Sequence, residues 1–282
     1  MVKHEMNKIS IITVTRNRPQ LLTEKALSSL LKQTSWDFEW IVINDGGSTE
    51  TRNLIEQAQT DFKITYQEIT HPEFGFALCH GRNLGLKLAK NNLIAYLDDD
   101  NALAPNFVAY MASFMSANPQ IKLALPLQKR SRQVWQNGNV VVRGQTFISP
   151  QINSTIDDLI CHRELMDSNG LTHHHDDAPT WNPNYRIYCD YEYFLQSLSK
   201  WGSSCFSINS QPLVEYIQSN QGIIGQSNYG DWAKELQRII DDVENYRILT
   251  DNLEYLKCLQ ALQDKYELKQ QKKLNLPAFK ER

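Results

Sequence analysis

The chain has 282 residues and a formal net charge of -3. That length can bury a large core, as one α/β domain with an appendage or as two small domains. The nearly balanced charge offers no broad basic field, which argues against nucleic acid as a main partner.

Residues 9–14 are a short β-branched run, followed by Thr15-Arg16-Asn17-Arg18-Pro19 and a helical pattern with Leu21, Leu22, Ala26, Leu27, Leu30 and Leu31 on one side. Residues 40–43 repeat the scheme, ending in a polar loop over 44–49 and a helix through Leu54, Ile55 and Ala58. Residues 62–69 predict a third strand. A helix with Leu84, Leu86, Leu88 and Ala89 then leads into the apolar run 92–97, which ends in Asp98, Asp99 and Asp100. Such alternation predicts a mostly parallel sheet with helices on both faces. A helix over 106–117 and a strand over 121–127 extend it. Two strand-like stretches, 133–136 and 140–142, flank Asn137-Gly138 and predict a hairpin. A helix near 162–168, a polar loop and a helix over about 190–201 follow, and 231–271 reads as two helices packed on the sheet.

Cys79, Cys161, Cys189, Cys205 and Cys258 lack CxxC spacing, which argues against a disulfide framework or a zinc knuckle and makes a reducing cytoplasm the expected compartment. No stretch approaches the roughly 18 apolar residues of a membrane span, and the first eight residues have no apolar signal core. A soluble protein is expected, with peripheral association at the inner membrane face left open.

The aspartate triplet is the most informative feature. An uncompensated carboxylate cluster repels itself, so a cation is expected beside it. Hard divalent cations such as Mn²⁺ or Mg²⁺ take carboxylate oxygens and complete their shells with water and substrate phosphates. A solvated turn, or a cap on a helix beginning near Pro105, competes with that reading. Its place after a buried strand favours the ligand, because open α/β sheets bind ligands outside the carboxyl ends of their strands.

Taken in order, ISIITVTRNRPQLL (9–22), WIVINDGGS (40–48) and GRNLGLKLAKNNLIAYLDDDN (81–101) resemble the opening of a family 2 glycosyltransferase with the GT-A fold. IDDLICHRELMDSNGL (156–171) resembles the entry to that family's acceptor half, and HDDAPTWNPNYRIYCDYEYFLQSL (175–198) the stretch carrying its base. The resemblance implies a Rossmann-like α/β GT-A domain, with a nucleotide-sugar half over 1–127, an acceptor half over 128–225 and a C-terminal helical extension over 226–282. It implies an inverting glycosyltransferase that uses a nucleotide-diphosphate sugar, with UDP favoured, and Mn²⁺ or Mg²⁺. The acceptor hydroxyl would belong to a saccharide, a lipid-linked saccharide or another molecule.

By the same resemblance, Thr13, Thr15 and Arg16 at the end of the first strand contact the nucleotide, and Asp45 binds uracil or ribose. Asp100 is the metal ligand, Asp99 the ribose contact, and Asp98 completes the metal pair while touching the donor. Arg82 reaches a phosphate or pairs with the aspartates. Asp190 is the base, with Glu192 as fallback; two residues apart on a helix, only one of them can face the site. The chain departs from the family pattern at Asn44 and Cys189, where acidic residues are common. It also lacks a histidine after Leu213-Val214-Glu215-Tyr216, where Asn220 and Gln221 are candidate substitutes.

Trp181 and Tyr185, in the polar loop before Asp190, are the candidates to stack on an acceptor sugar, ahead of Trp135 and Tyr188. His173, His174 and His175 read as a loop near the site, since consecutive side chains diverge too far to share one ion. Two other classes compete. A sugar-nucleotide nucleotidyltransferase would carry a Gly-rich phosphate loop after the first strand, which Thr15–Pro19 is not. A non-catalytic nucleotide- or sugar-binding protein would have no need of Asp190.

Overall fold

The computed structural model describes residues 7–137, 139–162 and 166–274. Its strands are β1 (Ile9–Thr15), β2 (Phe38–Asp45), β3 (Lys63–Ile69), β4 (Leu93–Tyr96), β5 (Ala102–Leu103), β6 (Leu123–Gln136), β7 (Asn139–Arg143), β8 (Phe147–Ser149), β9 (Thr172–His174) and β10 (Phe206–Ser219). They form one sheet in the order β3-β2-β1-β4-β9-β6-β10-β5, with β7 and β8 paired to β6. β1 runs parallel to β2 and β4, β2 to β3, and β6 to β10. β9 is antiparallel to both neighbours, which keeps β6 aligned with β4. The carboxyl ends of the parallel strands therefore open on one edge, where the sequence places its polar loops.

Period-two alternation explains why both faces are covered. Ile12 and Val14 of β1 point into one apolar layer, and Ile9 and Ile11 into the other. The second layer is closed by α1, a continuous helix assembled from Pro19–Leu21, a π-wound Leu22–Leu27 and Ser28–Leu30, and later by the helix Phe107–Ala117. Between these in sequence come α2 (Thr49–Gln57) and α3 (Ala77–Leu88); we number Phe107–Ala117 α4. The first layer is closed by α3, α5 (Cys189–Trp201), α6 (Tyr229–Asp241) and α7 (Leu253–Gln271). The two expected C-terminal helices are thus present, and they pack on the sheet side that carries α5.

Three expectations are corrected. The His173–His175 stretch is not a flexible loop: Thr172–His174 is a central strand, and His173 is fully buried. Its Nδ1–H donates to the His174 carbonyl at 2.7 Å, and Nε2, the acceptor nitrogen, lies within hydrogen-bonding distance of the hydroxyls of Tyr96 (2.9 Å) and Tyr193 (3.0 Å). Burial holds the ring neutral, with its pKa pushed down to about 4. Cys161 and Cys258 form a disulfide, with their Cα atoms 5.1 Å apart and their positions 97 apart in sequence. Local spacing could not reveal it, because the partners meet only when α7 docks on the turn Asp158–His162. The helix expected near 162–168 falls in part on 163–165, outside the described residues; residues 167–170 form an irregular loop.

Gly170 in that loop has φ +78°, and a Cβ there would lie 2.5 Å from Val214 Cγ2 and 2.9 Å from Pro126 Cγ. Left-handed strain and overpacking act in the same direction. Gly170→Ala is expected to lower stability by about 3 kcal/mol, read as a lower urea midpoint at unchanged m-value.

Candidate active site

A cleft of about 1120 Å³ runs across the carboxyl edge of the sheet, lined by Thr15, Arg16, Arg18, Asp45, His71, Asp98, Asp100 and Asp190 among others. After β4 the backbone turns, with the Asn101 N–H donating to the Asp98 carbonyl, and the three carboxylates diverge. Asp98 and Asp100 face the cleft, with side chains 26% and 28% exposed, whereas Asp99 is at 0%.

Arginine side chains of the chain reach the triplet. Arg18 reaches Asp99 at 2.6 Å and Asp100 at 3.0 Å, and Thr15 Oγ1 donates to Asp99 at 2.7 Å. Burial pushes the Asp99 carboxyl up to about 7 against the pull of Arg18, and burial likewise raises Asp100. Asp98 is held by Asn169, which accepts from its backbone N–H at 2.6 Å and donates to Oδ2 at 2.9 Å. The expected ribose contact of Asp99 is therefore corrected: its carboxylate is enclosed and anchors the loop after β1. Arg18 was not singled out from the sequence. Its signal was the second arginine of Thr15–Pro19, which Asn17 at φ 52° turns away from Arg16.

Arg82 of α3 is buried, at 2% exposure, and bridges two of the predicted site residues. Its Nη2 donates to Asp98 at 2.9 Å and its Nη1 to Asp190 at 2.8 Å. The guanidinium lies 4.2 Å from the centre of the Trp181 ring, which stacks in turn on Tyr193 at 4.1 Å. Arg82 thus sits beneath the cleft and does not line it; of its two expected roles, the pairing with the aspartates is the one seen, not the reach to a phosphate. Trp181 is the platform under that arginine, and Tyr185 is also fully buried. Neither ring has a face open to a sugar, so both acceptor assignments are corrected.

Asp190, in the first turn of α5, is 22% exposed at the cleft. Glu192 faces the other way, as the helical twist requires. It is buried, accepts from Tyr246 at 2.9 Å and from Gln196 at 2.8 Å, and its carboxyl is raised by burial. That corrects its expected acceptor role and removes it as the alternative base. Thr13 is corrected as well: its hydroxyl points to the opposite sheet face and accepts from Trp40 Nε1 at 2.9 Å.

At the other end of the cleft, Asp45 ends β2 beside Arg16, with Arg16 Nε at 3.7 Å. His71, unrecognised in the sequence, closes this group. Its Nδ1–H donates to Asp45 at 2.8 Å, and its Nε2 accepts from Arg16 at 3.1 Å. Asn44, the departure beside Asp45, donates to the Ser48 carbonyl and to the Tyr66 hydroxyl and so holds the loop. Asn220 clamps the Trp135 backbone on both sides, and only Gln221 of the two candidate substitutes lines the cleft.

The C-terminal extension also contributes. Glu235 of α6 accepts from the backbone N–H groups of Arg186 (3.1 Å), Ile187 (2.8 Å) and Tyr188 (2.9 Å), the turn that delivers Asp190. A carboxylate there satisfies three backbone donors of the turn before α5 and sits favourably at the positive end of that helix's dipole.

Asp98 and Asp100 present hard oxygen donors to the cleft. Among the described residues no cluster of three His, Cys, Asp or Glu side chains is assembled for a metal. Two carboxylates still suit Mg²⁺ or Mn²⁺, whose remaining positions are filled by water and substrate phosphates. The donor set fits such an ion.

The sheet order and the polar cleft at its carboxyl edge define the GT-A class of fold. The chain belongs to glycosyl transferase family 2, whose family model matches residues 10–168. Chondroitin synthase of Escherichia coli is 30% identical over 118 residues, which is 42% of this chain and 17% of that protein. The chain thus spans less than a fifth of that relative's length. Among solved structures, S. aureus TarS 1–349 in complex with UDP-GlcNAc superposes with a TM-score of 0.62 at 17% identity, covering 85% of this chain and 67% of that one. The mannosyltransferase PcManGT from Pyrobaculum calidifontis, in complex with GDP-Man and Mn²⁺, gives 0.59 at 13% identity, covering 98% and 78%. Among the described residues no helix is long and apolar enough to cross a membrane.

Proposed function

We propose that this protein transfers a sugar from a nucleotide-diphosphate sugar, with UDP as the favoured nucleotide, to an acceptor hydroxyl with inversion at the anomeric carbon. The observation that carries the reading is that Asp98, Asp100 and Asp190 open on one cleft, with Asp98 and Asp190 tied together by Arg82. The 1–127 portion would hold the donor, residues 128–225 the acceptor, and 226–282 would support the base-bearing turn. The chondroitin synthase relative supports a saccharide acceptor, and the two solved complexes support a nucleotide-sugar donor and a divalent ion.

Asp98 and Asp100 would hold Mn²⁺ or Mg²⁺. When bound, such an ion offsets the charge that develops on the departing nucleoside diphosphate. The chain's own residues do the rest. Asp45, with Arg16 and His71 fixed around it, would accept from a nucleobase N–H or a ribose hydroxyl, where a charge-assisted bond is strong. Asp190 takes the acceptor hydroxyl's proton as its oxygen attacks the face opposite the leaving group. Arg82 keeps Oδ1 of Asp190 in a fixed direction during that transfer.

The test is a donor screen with purified protein, a panel of nucleotide sugars and either Mn²⁺ or EDTA, scored by release of nucleoside diphosphate. Release with at least one donor that disappears in EDTA is the expected result. Metal-independent release, or none with any donor and acceptor, would count against the reading. Asp100→Asn is expected to weaken Mn²⁺ binding by about 10-fold or more, since one ionised oxygen ligand becomes neutral. Calorimetric titration with Mn²⁺ in the presence of UDP measures it.

A further inference from the structure

Four arginines line the cleft, and their surroundings divide them into two pairs. Arg16 lies against Asp45, and Arg18 is on Asp99 and Asp100. Arg186 and Arg238 also line the cleft, yet neither forms an ion pair among the described residues. Arg186 lies in the turn that delivers Asp190, and its backbone is fixed by Glu235. Arg238 stands on α6, one turn beyond Glu235. Its Nη1 donates to the Asn184 carbonyl, and its guanidinium lies 5.6 Å from the centre of the buried Tyr185 ring. Asp241 and Asp242 border a neighbouring groove of about 910 Å³ that Arg238 also touches, and the charges of Asp242 and Arg238 both act on Tyr185.

The Arg238 guanidinium is held beside a partly solvated cleft by the Asn184 carbonyl and the Tyr185 ring, Arg186 is exposed at the rim, and with no ion pair among the described residues each guanidinium attracts an anion. Its planar fork matches the oxygens of a carboxylate or a phosphate. Both arginines belong to the elements that carry and brace Asp190, not to the Asp98–Asp100 end, where the donor's diphosphate is expected. We propose that the acceptor carries an anionic group, a uronate carboxylate or a phosphodiester, that docks on Arg186 and Arg238 while its hydroxyl faces Asp190. The proposal rests on the glycosyl-transfer reading above.

The full chain, with UDP and Mn²⁺ present, would be titrated at low ionic strength with three probes. These are a uronate-containing tetrasaccharide, its carboxyl-reduced neutral twin and a glycerol-phosphate oligomer. At least one anionic probe is expected to bind about 10-fold or more tighter than the neutral one, as charge-assisted hydrogen bonds in a half-open site allow. The preference should shrink as salt is raised. Which anionic probe prevails separates the carboxylate from the phosphodiester. The double variant Arg186→Gln with Arg238→Gln should lose the preference and keep its affinity for UDP. Equal binding of all three probes, no binding of any, or a double variant that retains the preference overturns the proposal. So does a double variant that loses UDP instead, since the arginines would then serve the donor. An unmodified chain that binds neither UDP nor any nucleotide sugar overturns the glycosyl-transfer reading, and this proposal with it.

Discussion

Asp190→Asn is expected to lower turnover by about 10²-fold or more while donor and Mn²⁺ binding stay near normal, as loss of a general base predicts. The substitution keeps the side chain's size and its place in the first turn of α5. Oδ1 can still accept from Arg82, so the bridge to Asp98 is retained in outline. What disappears is the negative oxygen able to take the acceptor's proton. Single-turnover release of nucleoside diphosphate at saturating donor and acceptor gives the rate, and calorimetry with UDP and Mn²⁺ gives the binding. Glu192→Gln is the informative contrast. Glu192 is buried against Tyr246 and Gln196, so its loss should move stability and leave the chemical step close to normal. Full activity in Asp190→Asn would mean that another group removes the proton.

What the chain disclosed before folding follows from how local each cause is. The strand–helix alternation, the carboxyl-end loops and the aspartate triplet are encoded in contiguous residues, so β1 to β4 and α1 to α4 were legible. The direction of each aspartate was not legible, because strand alternation ends with β4: Asp99 and Asp100 lie in a turn closed by the Asn101 N–H on the Asp98 carbonyl, and that turn sends Asp99 inward. Its burial depended on Arg18 and Thr15, which lie more than 80 positions away. Trp181 and Tyr185 occupy a stretch whose neighbours are polar, and so they read as exposed. In the fold they are the floor beneath Arg82 and the surface under Arg238. His173 misled for the same reason: three adjacent histidines look like a loop until β4 and β6 close on either side and two tyrosine hydroxyls come within reach of Nε2. Glu235 and the Cys161–Cys258 pair carry no local signal, since each acts only after the C-terminal helices have docked.

Arg82→Met is expected to lower stability by about 2–3 kcal/mol and to impair both ends of the site. Removing one partner of a buried ion pair commonly costs about 3–5 kcal/mol, because the remaining charge is left without compensation. Here the loss should be smaller, since Asp98 and Asp190 are 26% and 22% exposed and can draw water from the cleft. Methionine fills much of the space over Trp181 but supplies no charge. Two carboxylates once held together by one guanidinium then repel, so Asp98 and Asp190 separate and the base loses its fixed direction. Arg82→Lys should recover part of the stability and little of the turnover, because a single ammonium cannot reproduce the two-pronged fork that spans both carboxylates. Mn²⁺ provides a further readout. With Arg82 gone, the charge of Asp98 is unmet, so the ion should raise the thermal midpoint of Arg82→Met by more than it raises that of the unmodified chain. Equal metal-induced shifts in the two proteins would show that Arg82 does not govern the charge on Asp98. A bridge that matters only to packing would also leave the turnover of Arg82→Lys intact.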